Sequence, residues 1–156
     1  MTASLTEVAR THDETVAEQR ALLRRAVRQA ARAGMTQAEI AQAIGRSQPE
    51  VSRLLHFHGT TPLAKRLRTR RKDVLDHLRE HGVVDVRVFG SVANGCDGPE
   101  SDIDLLVTLR DPVSLLELGS LERYLTRLLD VPVDLVPESS LRDDLRQRVL
   151  DEAVDL

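Results

Sequence analysis

Two aspartates, Asp102 and Asp104, stand on either side of a single apolar residue in the segment Ser101–Val107. The alternation predicts a β-strand that projects both carboxylates from one face, about 7 Å apart. Carboxylates this close repel each other, and a pair of divalent cations removes the repulsion. Because oxygen ligands and a triphosphate together fill its octahedron, Mg²⁺ is the expected metal. The spacing therefore predicts a metal-assisted site for a nucleotide.

A third aspartate and a run of small residues extend this site. Asp134 lies between Val133 and Leu135 in a predicted strand over 131–136, where a carboxylate is costly unless it has a partner. Beside the first pair it could bind the metal and help deprotonate an attacking hydroxyl. A further strand, Asp85–Phe89, opens into the small-residue loop Gly90–Gly95, which lets backbone N–H groups approach a phosphate. On its own this loop is a weak signal, because it lacks the spacing of a Walker loop.

Taken together, these residues resemble a known family. Gly90-Ser91, ten residues, Asp102-x-Asp104 and the later Asp134 resemble the nucleotidyltransferase superfamily of DNA polymerase beta, and residues 63–156 resemble its minimal (MNT) branch. The resemblance implies a small mixed sheet flanked by helices, with a carboxyl-terminal helix that includes Leu141 and ends near Val154. It also implies roles for the motif: Gly90 and Ser91 on the ATP phosphates, Asp102 and Asp104 on two Mg²⁺ ions, and Asp134 as third metal ligand and base.

Members of this superfamily transfer a nucleoside monophosphate from a nucleoside triphosphate to a hydroxyl and release pyrophosphate. Minimal members often act as antitoxins that attach AMP to a tyrosine of a HEPN-type toxin. The alternative interpretation places Asp102, Asp104 and Asp134 on an inactive scaffold.

The amino-terminal part of the chain carries a different pattern. A helix is predicted over residues 13–33, with an apolar side that includes Leu22, and two capping boxes follow it, Thr36 with Glu39 and Ser47 with Glu50. Gly45 separates the two short helices that they start, which predicts a helix-turn-helix. Residues 37–56 resemble the DNA-binding motif of phage-repressor-like regulators.

The helix-turn-helix interpretation assigns DNA contacts to the third helix. Gln48, Ser52 and Arg53 would project from its exposed face toward base edges or phosphates, and Ser47 would bind a phosphate through the helix amino terminus. A single copy offers few contacts, so a homodimer on double-stranded operator DNA is expected. The alternative is a three-helix module that contacts only proteins.

Between these parts, one helix is predicted from Pro62 to Glu80, with a basic cluster over residues 66–72 that could meet phosphates or simply face solvent. His77 and His81 have a spacing that could hold zinc, but ligand partners are lacking and a helix-end pair is favoured. Tyr124, in a leucine-rich helix, is expected to pack, and the alternative is a tyrosine that the enzyme modifies on itself.

Length, charge and aromatic content limit the number of domains and the classes of partner that the chain can have. The 156 residues leave room for two small domains, which we place at 1–59 and 60–156. The charge is +2 over 1–59, +4 over 60–81 and −9 over 82–156, so contact with nucleic-acid phosphates is expected from the first half. Three aromatic residues are too few for a protein that stacks single-stranded bases.

The apolar runs and the cysteine count indicate the cellular compartment in which the protein is expected. No apolar run approaches the roughly 20 residues of a membrane helix, and no membrane partner is expected. The lone Cys96 agrees with a reducing, cytoplasmic compartment.

The sequence thus predicts an α+β protein: an all-α helix-turn-helix domain followed by a small mixed-sheet nucleotidyltransferase domain flanked by helices. The expected function is Mg²⁺- and ATP-dependent transfer of AMP to a partner toxin, with DNA binding and autoregulation of its operon. The first alternative is a transcriptional regulator whose nucleotidyltransferase fold is inactive or only senses nucleotide. The second is an antibiotic nucleotidyltransferase, for which the domain offers little material to build an acceptor pocket.

Overall fold

The computed structural model describes residues 4–156, which form two compact units, one ending at Leu55 and one comprising His56–Leu156. The division falls four residues before the predicted boundary at 59. Phe57 belongs to the second unit because its ring is buried in that unit's core and its N–H donates to the Asp155 carbonyl at 2.7 Å.

The first unit consists of three helices, α1 (Leu5–Arg32), α2 (Gln37–Ile44) and α3 (Gln48–Leu55). Both predicted capping boxes form: Thr36 exchanges hydrogen bonds with Glu39, and Ser47 with Glu50. Gly45 ends α2 with φ +65°, a left-handed conformation that glycine adopts at little cost. The small core of this unit contains Val27, Ile40, Ala41 and Val51.

Two predictions for α1 were wrong. The helix begins at Leu5 rather than near Asp13, with the Ser4 hydroxyl accepting from the Thr6 N–H as its cap. Leu22 is 63% exposed, because its neighbour Leu23 is the residue that packs on the core.

The second unit opens with two helices where one was predicted, α4 (Pro62–Thr69) and α5 (Arg71–Glu80). Arg70 separates them with φ −98° and ψ 9°, outside the helical range. Both helices turn apolar faces inward, and Leu67, Val74 and Leu78 are fully buried.

A four-stranded mixed sheet, in the order β3-β2-β1-β4, forms the centre of this unit. Its strands are β1 (Val83–Phe89), β2 (Ile103–Leu109), β3 (Val133–Pro137) and β4 (Val154–Asp155). β2 runs antiparallel to β1 and parallel to β3, whereas β4 pairs antiparallel with β1. The predicted carboxyl-terminal helix is therefore shorter than expected: α8 spans Asp143–Glu152 and the chain then becomes a strand.

The two faces of the sheet differ in what covers them. Ile103, Leu105 and Val107 of β2 belong to the main core, together with α5 and with α7 (Leu115–Leu129). On the opposite face, Leu106 packs with Val149 and Ala153 in and beside α8. Alternation along β2 places Asp104 on the same face as Leu106, at the end of the strand where it begins.

Candidate active site

Strand register brings two of the predicted carboxylates together. Asp104, the second residue of β2, lies opposite Asp134, the second residue of β3, in the parallel ladder. Asp102 precedes β2 directly, since the strand begins at Ile103 and not at Ser101 as predicted. Asp102, Asp104 and Asp134 thus lie at the same end of the sheet, near enough for the charges of Asp102 and Asp134 to act on Asp104.

The electrostatics of Asp104 reflect this crowding. Asp104 is half-buried, whereas Asp102 and Asp134 are exposed. Burial, followed by the negative charges of Asp134 and Asp102, raises the pKa of Asp104 to about 6. Desolvation and like charge both disfavour the ionised carboxylate, and a bound cation would reverse both effects.

Gly90, which follows the last residue of the neighbouring strand β1, lies beside Asp104. Phe89 pairs with Asp104 across the β1–β2 ladder, so the next residue, Gly90, passes directly beside the aspartate. A Cβ at Gly90 would lie 2.5 Å from Oδ2 of Asp104, and the φ of Gly90 is +71°. Both the close approach and the left-handed backbone require glycine here.

The segment after Gly90 was predicted as a loop and is instead a short helix, α6 (Gly90–Asn94). Val92 is buried and anchors α6 to the core, Ser91 is partly exposed, and Gly95 ends the helix with φ +71°. The small residues thus serve a tight strand-to-helix turn beside Asp104.

The chemistry of this donor set fits a hard divalent cation. Carboxylate oxygens are the ligands that such a cation prefers, and burial together with the charges of Asp134 and Asp102 leaves ionised Asp104 without compensation. Within residues 4–156, no three His, Cys, Asp or Glu side chains are gathered closely enough to hold a metal ion by themselves. A cation here would take its remaining oxygen ligands from nucleotide phosphates or water.

Comparison with known proteins decides the family. The protein-family model described as a nucleotidyltransferase domain matches residues 69–156, which is more than half of the chain. The chain belongs to this family. The predicted family, the α+β fold and the assignment as a nucleotidyltransferase are confirmed.

Particular relatives of this nucleotidyltransferase are informative. The protein adenylyltransferase MntA of Thermococcus cleftensis is 45% identical over 78 residues, which cover 49% of this chain and 79% of the relative. A solved structure described as a minimal nucleotidyltransferase has 44% identity and a TM-score of 0.56, covering 64% of this chain and 100% of its own. A toxin–antitoxin structure with AMP-PNP has 28% identity and a TM-score of 0.50, covering 54% of this chain and 69% of its own.

A buried ionic network on the active-site face of the nucleotidyltransferase sheet was missed by the sequence analysis. Arg87 is 7% exposed, and its guanidinium contacts the carboxylates of Asp85, at 2.8 Å, and Glu138. Glu138 also accepts from Arg146 of α8 at 3.0 Å, which ties α8 to the end of β3. The sequence signal that could have revealed this network is Arg87 between two valines in β1, because a buried guanidinium requires a carboxylate partner.

The residues predicted to contact DNA lie on α3 and at its start. Gln48 and Arg53 are exposed, and Ser52 is partly exposed. Ser47 was predicted to bind a phosphate, but its N–H and its hydroxyl already donate hydrogen bonds to the Glu50 carboxylate, both at 2.9 Å. A phosphate would have to displace Glu50 to bind there.

The histidine pair forms an aromatic cluster. His77 stacks on Tyr124 with ring centroids 3.5 Å apart, and the His81 centroid lies 4.6 Å from that of His77. Burial, with a smaller contribution from His81, lowers the pKa of His77. The stacking contact gives His77 a structural partner. Tyr124 packs on His77, but it stays 37% exposed and does not join the core. Within the described range, the helices are too polar or too short to cross a lipid bilayer.

Proposed function

We propose that this nucleotidyltransferase transfers AMP from ATP to a hydroxyl group of a partner protein, in a reaction that requires Mg²⁺. The observation that carries the proposal is the carboxylate cluster at the start of β2 and β3, where Asp104 has a raised pKa and lies against Gly90. Its relative named protein adenylyltransferase and its neighbour with AMP-PNP support AMP as the group transferred.

In this proposal Asp102 and Asp104 would hold two Mg²⁺ ions, Asp134 would supply the third carboxylate, and Gly90 and Ser91 would lie against the ATP phosphates. The cations would neutralise the phosphate oxygens and polarise the α-phosphorus. Asp134 accepts the proton of the acceptor hydroxyl, whose oxygen attacks the α-phosphorus. The bond to the β-phosphate breaks, so AMP is joined to the acceptor and pyrophosphate leaves.

A partner toxin is the acceptor that best fits the chain. The catalytic unit is small, so an acceptor carried on another protein requires no enclosed pocket here. The neighbour described as a toxin–antitoxin supports an antitoxin role, and the family resemblance implies a tyrosine of a HEPN-type toxin. We place this activity in the cytoplasm, where ATP is available.

The test uses α-labelled ATP, Mg²⁺ and the purified product of the adjacent reading frame. We expect label on that product and release of pyrophosphate, with loss of both in Asp104→Asn. The matched control is Asp111→Asn, which removes an exposed carboxylate two residues after β2 and is expected to retain activity. Equal labelling by Asp104→Asn would refute the assignment of the site, and no labelling of a partner that binds the chain would favour an inactive regulator.

A second proposed activity is DNA binding by the first unit, with repression of its own operon. The helix pair α2–α3 turns at Gly45 and exposes Gln48 and Arg53, which suit adenine and guanine edges or phosphates. We expect Arg53→Ala to weaken the shift of an upstream operator fragment by at least about tenfold, the loss of one good base contact. Arg32→Ala, an exposed arginine at the end of α1, is the control. A wild-type shift by Arg53→Ala would contradict this recognition helix.

A further inference from the structure

β3, the strand that carries Asp134, lies at the edge of the sheet beside β2. The Pro132 carbonyl accepts a hydrogen bond from the N–H of Ile103, so the N–H of the same trans peptide, on Val133, points away from β2. Because successive N–H groups of a strand alternate in direction, the Leu135 N–H points outward as well. Outward N–H groups of an edge strand need partners from outside the sheet.

Two side chains of α7 supply these partners. The Leu135 N–H donates to Oε1 of Glu122 at 2.9 Å, and the Val133 N–H donates to the Thr126 hydroxyl oxygen at 3.2 Å. The two acceptors are one helical turn apart, about 6 Å, and the two donors are two strand residues apart, about 6.6 Å. Pro137, the next outward position, has no N–H. The spacing of the helix therefore matches that of the strand, and each outward N–H of β3 is satisfied.

These two hydrogen bonds hold the backbone on both sides of Asp134. Glu122 accepts from the peptide that joins Asp134 to Leu135, and Thr126 accepts from the peptide that ends at Val133. Both bonds are partly buried. Leu135 and Val133 are buried in the main core beside α7, whereas Asp134 is exposed on the opposite face of the sheet. A shift of β3 would therefore move the Asp134 carboxylate relative to the other carboxylates of the site.

We propose that Glu122 is a positioning residue of the transfer reaction, which holds Asp134 in place through the Leu135 N–H, with Thr126 as a second support. The inference rests on the proposed function, in which Asp134 accepts the proton of the acceptor hydroxyl. Glu122 acts through the backbone of β3, and Asp134 is the residue that meets the reacting atoms. A displacement of about 1 Å at a reacting group costs on the order of 100-fold in rate, so loss of the hydrogen bond should lower kcat.

Kinetics of the full chain test this role. With α-labelled ATP, Mg²⁺ and the purified product of the adjacent reading frame, Glu122→Ala should lower kcat at least about tenfold. The affinity for AMP-PNP with Mg²⁺ should stay close to that of the wild type, because Asp102 and Asp104 are unchanged. Glu122→Gln keeps an acceptor oxygen and should restore most of kcat. The matched control is Arg123→Ala, which changes an exposed neighbour on α7 and should transfer AMP like the wild type.

Amide hydrogen exchange tests the hydrogen bond independently of activity. The Leu135 N–H should be protected in the wild type and in Glu122→Gln, and should exchange about tenfold faster in Glu122→Ala, the value of one hydrogen bond. Thr126→Val removes a hydroxyl with little change of shape. It should speed exchange of the Val133 N–H and lower kcat in the same way, so the test does not depend on a single variant.

Two results would refute the positioning role alone. The first is an unchanged kcat in Glu122→Ala although the Leu135 N–H exchanges faster, which would show that this hydrogen bond does not position Asp134. The second is an equal loss of kcat and of AMP-PNP binding sites per chain, which would show that Glu122 supports the fold and nothing more. A wild-type chain that transfers no label would instead refute the proposed function and this role together.

Discussion

The replacement Asp104→Asn in the metal-free protein should stabilise the catalytic unit while abolishing its activity. Asparagine has nearly the same shape as aspartate but cannot ionise. In the folded protein the Asp104 carboxylate is held half-buried beside Asp102 and Asp134, and these surroundings raise its pKa to about 6. Ionised Asp104 therefore opposes folding, and removing its charge removes that opposition.

The magnitude follows from the pKa difference. A rise from 3.8 to about 6 corresponds to at most about 3 kcal/mol, and solvent screening of a half-exposed group reduces this to about 1–2 kcal/mol. Below about pH 4 the carboxyl is protonated in both the folded and the unfolded chain, so no benefit remains. As pH rises from about 4 to 6 the wild-type chain loses stability relative to Asp104→Asn, and the difference is constant above that.

The assay is urea unfolding in a chelator at several pH values, followed by tyrosine fluorescence. The chain contains no tryptophan, and its one tyrosine, Tyr124, lies in α7, so the signal reports the catalytic unit. Asp111→Asn, at an exposed position, should show no such gain. Destabilisation by Asp104→Asn at pH 8, or an equal gain at pH 4 and pH 8, would refute the reasoning.

Two further substitutions test the surroundings of the site. Gly90→Ala should cost about 1–2 kcal/mol in urea unfolding, because it places a methyl group against Asp104 on a left-handed backbone, and it should abolish AMP transfer. Gly98→Ala, which meets no atom within 4 Å, should be near neutral, and equal effects of the two would contradict this. Glu138→Gln should cost about 2–3 kcal/mol by the same measurement, since it leaves the buried Arg87 with less compensating charge; an unchanged midpoint would argue against the network.

Features encoded locally were predictable from the sequence. The capping boxes at Thr36 and Ser47 and the left-handed Gly45 depend on neighbours within three or four residues, and the structure has them where they were predicted. The alternation around Asp104 likewise predicts a strand. Such local signals predict the structure correctly because hydrogen bonds and backbone conformation within a few residues allow few alternative local structures.

Features that depend on distant partners were not predictable. The break at Arg70 has no glycine or proline to mark it, and the exposure of Leu22 depends on which face of α1 meets α2 and α3. The opposition of Asp104 and Asp134 is a matter of register between strands about thirty residues apart. The Arg87 network joins β1 to residues that follow β3, and no local pattern contains it.

The most direct test of the central claim is calorimetric titration of the full chain with AMP-PNP, in Mg²⁺ and in chelator. The account predicts binding that requires Mg²⁺ and is weakened at least about tenfold by Asp102→Asn and by Asp104→Asn, since each removes a carboxylate ligand of the cation. Asp111→Asn should bind like the wild type. Nucleotide binding of equal affinity without Mg²⁺, or without these two carboxylates, would contradict the claim that the cluster holds a cation and nucleotide together.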